Sequence, residues 1–206
     1  IMSAVADQAF SRQDIAVLSS AGGNVGYSPG IQKLAKETFA MDKGITPAVP
    51  RGMAHRHHNP ASKNKLVPNS ALNFPGNDLF SRVARAVCQA ECLPRKELYE
   101  SWEVARRVRR RLGGAGRRIV DLAAGHGLLA HLLLLLDDRA PGALAVDVRI
   151  PASAGKLAVV LCAHWPRLRD RVRFVEAPIE SVELDPNDLV VSAHACGQLT
   201  DRILDL

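Results

Sequence analysis

The segment IVDLAAGHGLLA, residues 119–130, decides the fold class of this chain. A short apolar run ends at Leu122, two glycines follow at Gly125 and Gly127, and a largely apolar stretch continues to Leu136. A short apolar run bounded by glycine is typical of a buried strand, and a glycine pair lets the backbone turn tightly into the next element. The segment therefore predicts a strand, a tight loop and a helix.

Outward from this segment, strands and helices alternate. The sequence predicts strands at residues 118–122, 143–148, 172–176 and 189–194, and helices at 78–92, 95–112, 127–137, 152–164 and from 199 onward. Strands rich in Val, Ile and Leu that alternate with helices indicate a parallel sheet with helices on both faces. We therefore expect an α/β fold with a Rossmann-like sheet and a helical N-terminal cap.

The pattern divides the chain into three parts. Residues 1–52 carry a weak pattern and are expected to be a poorly ordered or non-native extension, residues 53–94 a linker and cap helix, and residues 95–206 the α/β domain. The two ends of the sequence suggest a fragment of a longer gene product. We therefore expect a sheet truncated after its fourth strand, which would limit cofactor binding or activity.

Composition excludes several classes of protein. Of the 206 residues, 47% are hydrophobic and 23% charged, which argues against a disordered chain or a coiled-coil rod. Four Cys argue against a secreted disulfide scaffold. The longest apolar stretch, residues 122–136, is shorter than the roughly 18–20 residues that cross a bilayer. We expect a cytoplasmic protein without a membrane partner.

Two features could bind a partner other than a small cofactor. The net charge is +6, and seven arginines between Arg106 and Arg118 could contact RNA phosphates, although a charge run on a helix is more often a solvated face. His55, His57 and His58 with Cys88 and Cys92 lack the spacing of structural zinc sites, so no metal site is expected.

The glycine loop fits two cofactors. Gly125-x-Gly127-x-x-Ala130 matches the dinucleotide fingerprint, and Asp147, twenty residues past Gly127, can accept hydrogen bonds from ribose hydroxyls. However, Asp121 lies four residues before Gly125, where a carboxylate repels a pyrophosphate and attracts an ammonium group. The sequence therefore favours S-adenosyl-L-methionine, and an NAD(P)-binding oxidoreductase stays as the alternative.

Three stretches carry a resemblance to a known family. Residues 120–127, VDLAAGHG, resemble the first motif of class I S-adenosylmethionine-dependent methyltransferases, and Val146-Asp147 resembles their second-strand acid. Residues 190–201, VVSAHACGQLTD, resemble the fourth-strand segment of the methyltransferase-like 25 branch, with its His-x-Cys-Gly motif. The resemblance covers about residues 95–206.

The resemblance implies an enzyme with a defined cofactor site. A position at the carboxyl end of a predicted strand separately favours His194 as a general base and Cys196 as a packed, inert thiol. The methyl acceptor stays open between RNA, protein and a small molecule, and a non-catalytic RNA- or protein-binding module on the same fold is a second alternative. The implied cofactor-binding residues are Asp121, Ala123, Gly125, His126 and Gly127 around the methionine part, Asp147 at the ribose, and Ala177 and Pro178 at the adenine.

Overall fold

The computed structural model describes residues 65–113, 115–193, 195 and 198–206, together with the backbone of residues 14–17. The predicted extension, residues 1–52, lies outside the described residues apart from that short segment, and so does the first part of the predicted linker. His194 and Cys196 lie outside them as well. These residues form the α/β domain and the helix directly before it.

One parallel sheet organises the described part of the chain. Its strands are β1 (Asp14–Val17), β2 (Ile119–Leu122), β3 (Ala143–Asp147), β4 (Val172–Glu176) and β5 (Leu189–Ser192), in the order β1-β5-β2-β3-β4. Every pairing is parallel. The four predicted strands are confirmed, and this α/β architecture is compatible with a Rossmann-like fold. The sequence does not predict β1, because Asp14–Val17 lies in the weakly patterned residues 1–52 and is held in the sheet by its pairing with β5.

Five α-helices lie within the described residues. They are α1 (Leu79–Ala90), α2 (Arg95–Leu112), α3 (Leu128–Leu136), α4 (Ala154–His164) and α5 (Gln198–Leu204), and short 3-10 helices lie at Pro68–Asn73, Pro166–Leu168 and Ile179–Ser181. Each α-helix matches a helix predicted from the sequence, with small differences at the ends.

Local sequence stabilises the ends of α1 and α2. Asp78 Oδ1 accepts a hydrogen bond of 3.1 Å from the Ser81 N–H, which caps α1. In α2, Glu97 lies in the first turn and three arginines, Arg109 to Arg111, lie in the last. An acid near the N-terminus and arginines near the C-terminus interact favourably with the helix dipole and therefore stabilise α2.

The main core lies between the sheet and helices α1 to α4, and a smaller cluster covers the opposite face. The smaller cluster joins Val120 and Leu122 of β2 to Ile203 of α5. Because side chains alternate along a strand, the remaining two residues of β2, Ile119 and Asp121, face the helices of the main core. The alternation therefore places the ionisable side chain of Asp121 inside the main core.

The sheet order reverses beside β2. From β2 the chain steps outward to β3 and β4, and the next strand, β5, then pairs on the other side of β2. The carboxyl ends of β2 and β5 therefore border a topological switch point, where open α/β sheets bind their ligands. The glycine loop, residues 123–127, follows β2 at this point.

Candidate functional site

The glycine loop has a strained and compact backbone. Ala123, Gly125 and Gly127 all have positive φ, at 57°, 51° and 70°. Gly127 N–H donates to the Ala124 carbonyl at 2.8 Å, and Ala124 N–H donates to the Val146 carbonyl of β3 at 2.9 Å. A left-handed conformation costs an alanine about 1–2 kcal/mol, so the two bonds hold Ala123 in a conformation that it avoids elsewhere.

The two glycines serve different purposes. A Cβ at Gly127 would lie 2.7 Å from the Phe174 ring, so the packing of β4 against the loop requires glycine there. His131 supports the same contact, because its Nδ1 lies 2.7 Å from the Gly127 carbonyl and its ring lies beside Phe174. A Cβ at Gly125 would meet no atom within 4 Å. Gly125 therefore faces open space, which a ligand can approach closely.

Asp147 ties the loop to the end of β3. Its Oδ2 accepts a hydrogen bond of 2.9 Å from the Gly125 N–H, and its Oδ1 accepts one of 3.2 Å from the Arg149 N–H. The side chain is half-buried. A carboxylate has about four lone-pair positions, so two remain for hydroxyl donors of a ligand. The structure thus brings Gly125 and Asp147 together, as the sequence predicts.

Asp121 lies beneath the loop. The residue is only 1% exposed, and Oδ2 accepts a hydrogen bond of 3.2 Å from the Ala130 N–H in the first turn of α3. Burial raises the pKa of the Asp121 carboxyl to about 8, and the nearby Asp147 charge raises it further against the effect of the Ala130 bond. The carboxyl is therefore protonated at neutral pH, whereas the sequence argument treats it as a charge aimed at the loop.

His126 is held between two other elements. Its Nε2 lies 3.0 Å from Ser153 Oγ, directly before α4, and its Nδ1 lies 3.6 Å from Glu97 Oε1 of α2. The sequence places His126 beside a cofactor and gives no role to Glu97 or Ser153. The sequence predicts a helix from residue 152, so Ser153 falls inside that helix and no local signal marks it as a partner for a histidine.

Ala177 and Pro178 lie at the same edge of the sheet. Ala177 N–H donates to the Asp147 carbonyl at 2.9 Å, which continues the pairing of β3 and β4 by one residue. Glu176, the last residue of β4, accepts a hydrogen bond of 3.1 Å at Oε2 from the Ile150 N–H. Glu180 instead pairs with Arg202. Of the two acids that flank Ala177 and Pro178, Glu176 is therefore the one at the candidate site.

The predicted catalytic residue His194 falls outside the described residues, as does Cys196. The last described positions before His194 are Ser192, which ends β5, and Ala193, and both are buried. The roles of His194 as base and of Cys196 as packed thiol stay predictions.

The arginines of the predicted RNA surface lie at the other end of the sheet, where the strands begin. Arg109 Nε donates to the Leu136 carbonyl at 2.7 Å, at the end of α3. Arg118 forms an ion pair with buried Asp188, with its Nε 2.7 Å from Oδ1. Several of these arginines therefore have structural partners, and contact with RNA stays a prediction.

Cys88 and Cys92 are buried at the end of α1, where burial raises the pKa of both thiols. Within the residues that the structure describes, no group of His, Cys, Asp and Glu side chains could hold a metal ion. His55, His57 and His58 lie outside those residues.

Comparison of the chain with protein-family models, with curated proteins and with solved structures finds no match. Among the described residues, no helix is long and apolar enough to cross a membrane.

Proposed function

We propose that this chain is an S-adenosyl-L-methionine-dependent methyltransferase of class I. Its sequence resembles the methyltransferase-like 25 branch of that class, and this resemblance supports the proposal. The observation that carries the proposal is the open space at Gly125, next to a hydrogen bond from the Gly125 N–H to the Asp147 carboxylate. Gly125 lies in the loop that follows β2 at the topological switch point, and Asp147 ends the neighbouring strand β3. The proposal leaves the methyl acceptor open between RNA, protein and a small molecule, and it includes a cytoplasmic location.

The residues at this edge fit the parts of the cofactor. The backbone at Ala123, Gly125 and Gly127 would hold the methionine part, Asp147 would accept hydrogen bonds from the ribose hydroxyls, and Ala177 and Pro178 would line the adenine. When bound, the cofactor supplies an electrophilic methyl group on a sulfonium. The protein would contribute by fixing the cofactor and the acceptor in line, and such alignment is a large source of rate enhancement.

The electrostatics of the site disfavour a dinucleotide. In dinucleotide-binding folds the pyrophosphate lies at the N-terminus of the helix that follows the glycine loop. Here the Asp121 carboxyl already accepts the Ala130 N–H of that helix. The protonated Asp121 adds no charge at this edge, whereas Asp147 and Glu176 end the neighbouring strands β3 and β4 in register with each other. With the Ala130 N–H occupied, this helix N-terminus has one donor fewer for a pyrophosphate, and this supports S-adenosylmethionine over a dinucleotide.

Isothermal titration of the chain with S-adenosylmethionine, S-adenosylhomocysteine and NAD tests the proposal. We expect both methionine-derived ligands to bind, and Asp147→Ala to weaken their binding by about 1–3 kcal/mol, the range for a lost hydrogen bond to a charged group. Asp138→Ala is the matched control, since it removes an exposed carboxylate from the other end of the sheet. Binding of NAD without either methionine-derived ligand, or no binding by any of the three, would overturn the proposal.

A further inference from the structure

Three polar side chains from three separate elements meet beside the glycine loop. Ser153 Oγ lies 3.0 Å from His126 Nε2. Across the imidazole ring, His126 Nδ1 lies 3.6 Å from Glu97 Oε1, and the His126 and Glu97 side chains are 17% and 18% exposed. The hydroxyl is within hydrogen-bond distance of one ring nitrogen and the carboxylate is within ion-pair distance of the other, which is the order of groups that activates a serine in hydrolytic enzymes.

The orientation of Ser153 is unusual for its position. Ser153 is the N-cap residue of α4, where a serine hydroxyl normally accepts a hydrogen bond from the first turn of its own helix. Here the side chain makes no capping hydrogen bond and contacts His126 instead. A capping serine stabilises a helix by about 1 kcal/mol, so the contact with His126 forgoes that stabilisation.

We propose that Ser153, His126 and Glu97 form a nucleophile, base and orienting acid for the hydrolysis of carboxylic esters. This activity goes beyond the methyl transfer proposed above and does not depend on it. Ser153 and His126 are the catalytic residues, and Glu97 is a positioning residue that acts through the imidazole. The substrate class is an ester whose acyl group can enter the open side of the loop.

The reaction balances with water as the only co-reactant. Ser153 Oγ attacks the ester carbonyl carbon while its proton passes to His126 Nε2, and the carbonyl electrons move onto the oxygen. The tetrahedral adduct collapses, the C–O bond to the alcohol breaks, and the alcohol leaves with the proton from Nε2. Water then attacks the acyl group on Ser153, gives a proton to Nε2, and releases the carboxylic acid as that proton returns to Oγ.

Two glycines next to the catalytic side chains in the sequence face open space. A Cβ at Gly155 would meet no atom within 4 Å, and neither would one at Gly125. Ser153 also precedes the first turn of α4, an 11-residue helix whose N–H groups and dipole present partial positive charge. Partial positive charge of this kind stabilises a developing oxyanion.

Two measurements on the purified chain test the assignment. The first is covalent labelling by a fluorophosphonate probe, with the modified residue identified by mass spectrometry. The second is hydrolysis of p-nitrophenyl acetate and p-nitrophenyl butyrate across pH 5–9. We expect the probe to label Ser153, and Ser153→Ala and His126→Ala to lower the hydrolysis rate by about 10²-fold or more.

Two control variants separate this site from background reactivity. His164→Ala removes an exposed histidine that could hydrolyse an activated ester without a partner serine, and Ser181→Ala removes an exposed serine. Both should leave labelling and hydrolysis unchanged. Glu97→Gln should lower hydrolysis and change its pH profile, because the imidazole loses its charged partner.

The proposal is overturned if Ser153 is not labelled, or if Ser153→Ala hydrolyses the esters as fast as the unmodified chain. In either case the three side chains only tether α2, the loop and α4. Circular dichroism of each variant checks that a lost signal does not come from unfolding. If Ser153→Ala fails to fold, labelling of Ser153 in the unmodified chain decides the question.

Discussion

Replacement of Asp121 by asparagine should change how the stability of the protein depends on pH. Asp121 is buried in the main core with a hydrogen bond from the Ala130 N–H, and burial raises the pKa of its carboxyl to about 8. Asparagine has nearly the same shape and can accept the same hydrogen bond, but it does not titrate. The substitution therefore removes the proton equilibrium and keeps the packing.

The sign and size of the effect follow from the raised pKa. In the folded chain Asp121 keeps its proton up to about pH 8, whereas in the unfolded chain it loses the proton above its ordinary pKa of 3.8. Between these two values the folded state binds one more proton, so its stability falls as pH rises, by about 1.4 kcal/mol per pH unit. Between pH 6 and pH 8, where the folded-state group begins to titrate, the integrated loss is about 2 kcal/mol.

Urea denaturation at pH 6, 7 and 8 measures this effect. The free energy of unfolding of the unmodified chain should fall relative to Asp121→Asn by about 2 kcal/mol over that range. Glu180→Gln is the control, because hydrogen bonds from its own backbone and from Arg202 lower the pKa of Glu180, and the group is ionised in both states above pH 6. The free energies of unfolding of Asp121→Asn and of the unmodified chain could instead change by the same amount from pH 6 to pH 8. That result would show that Asp121 is ionised in the folded chain and that its charge is available to a ligand at the loop.

The remaining predictions concern the loop and the first helix. Gly125→Ala should fold at a cost of about 1–2 kcal/mol for its left-handed backbone, and it should bind S-adenosylhomocysteine more weakly in titration, since its methyl group enters the open space. Gly127→Ala should destabilise the fold by more than Gly125→Ala in thermal unfolding, because its Cβ would meet the Phe174 ring; equal stability of the two variants would contradict this packing. Asp78→Ala should lower the unfolding free energy by about 1 kcal/mol through loss of the α1 cap, and an unchanged urea midpoint would show that the cap contributes nothing.

The sequence predicts the sheet and helices of residues 78–206 well because each element there is marked by strong periodicity and clear breaks. α2 is the clearest case, since apolar residues repeat at helical spacing, acids precede arginines, and glycine follows. β1 escapes prediction because Asp14–Val17 is held in the sheet by its pairing with β5, a long-range contact that leaves no local pattern. Gly125 and Asp147 are predicted as one site because both positions follow from strand ends.

The parts of the site that escape prediction depend on packing between distant elements. The neighbours of His126 are Glu97, 29 residues earlier, and Ser153, 27 residues later, and neither position is fixed until α2 and α4 pack beside the loop. The protonation of Asp121 likewise depends on its burial beneath α3. A sequence motif identifies the residue types at a site, whereas the charge that each one carries follows from the layers above and below it.

The direction of the helices accounts for much of the charge distribution. The helices that follow β2 and β3 begin at the carboxyl ends of those strands, so their positive dipole ends point toward the glycine loop, where Asp147 and Glu176 lie. Their negative ends point the other way, and Arg109 and Arg167 donate to carbonyls in the last turn of α3. Interaction with the helix dipoles is therefore sufficient to account for acids at one end of this sheet and arginines at the other. The evidence for a functional site at this edge is therefore two features that do not stabilise a helix. They are the open space at Gly125 and the Ser153 hydroxyl, which contacts His126 and does not cap α4.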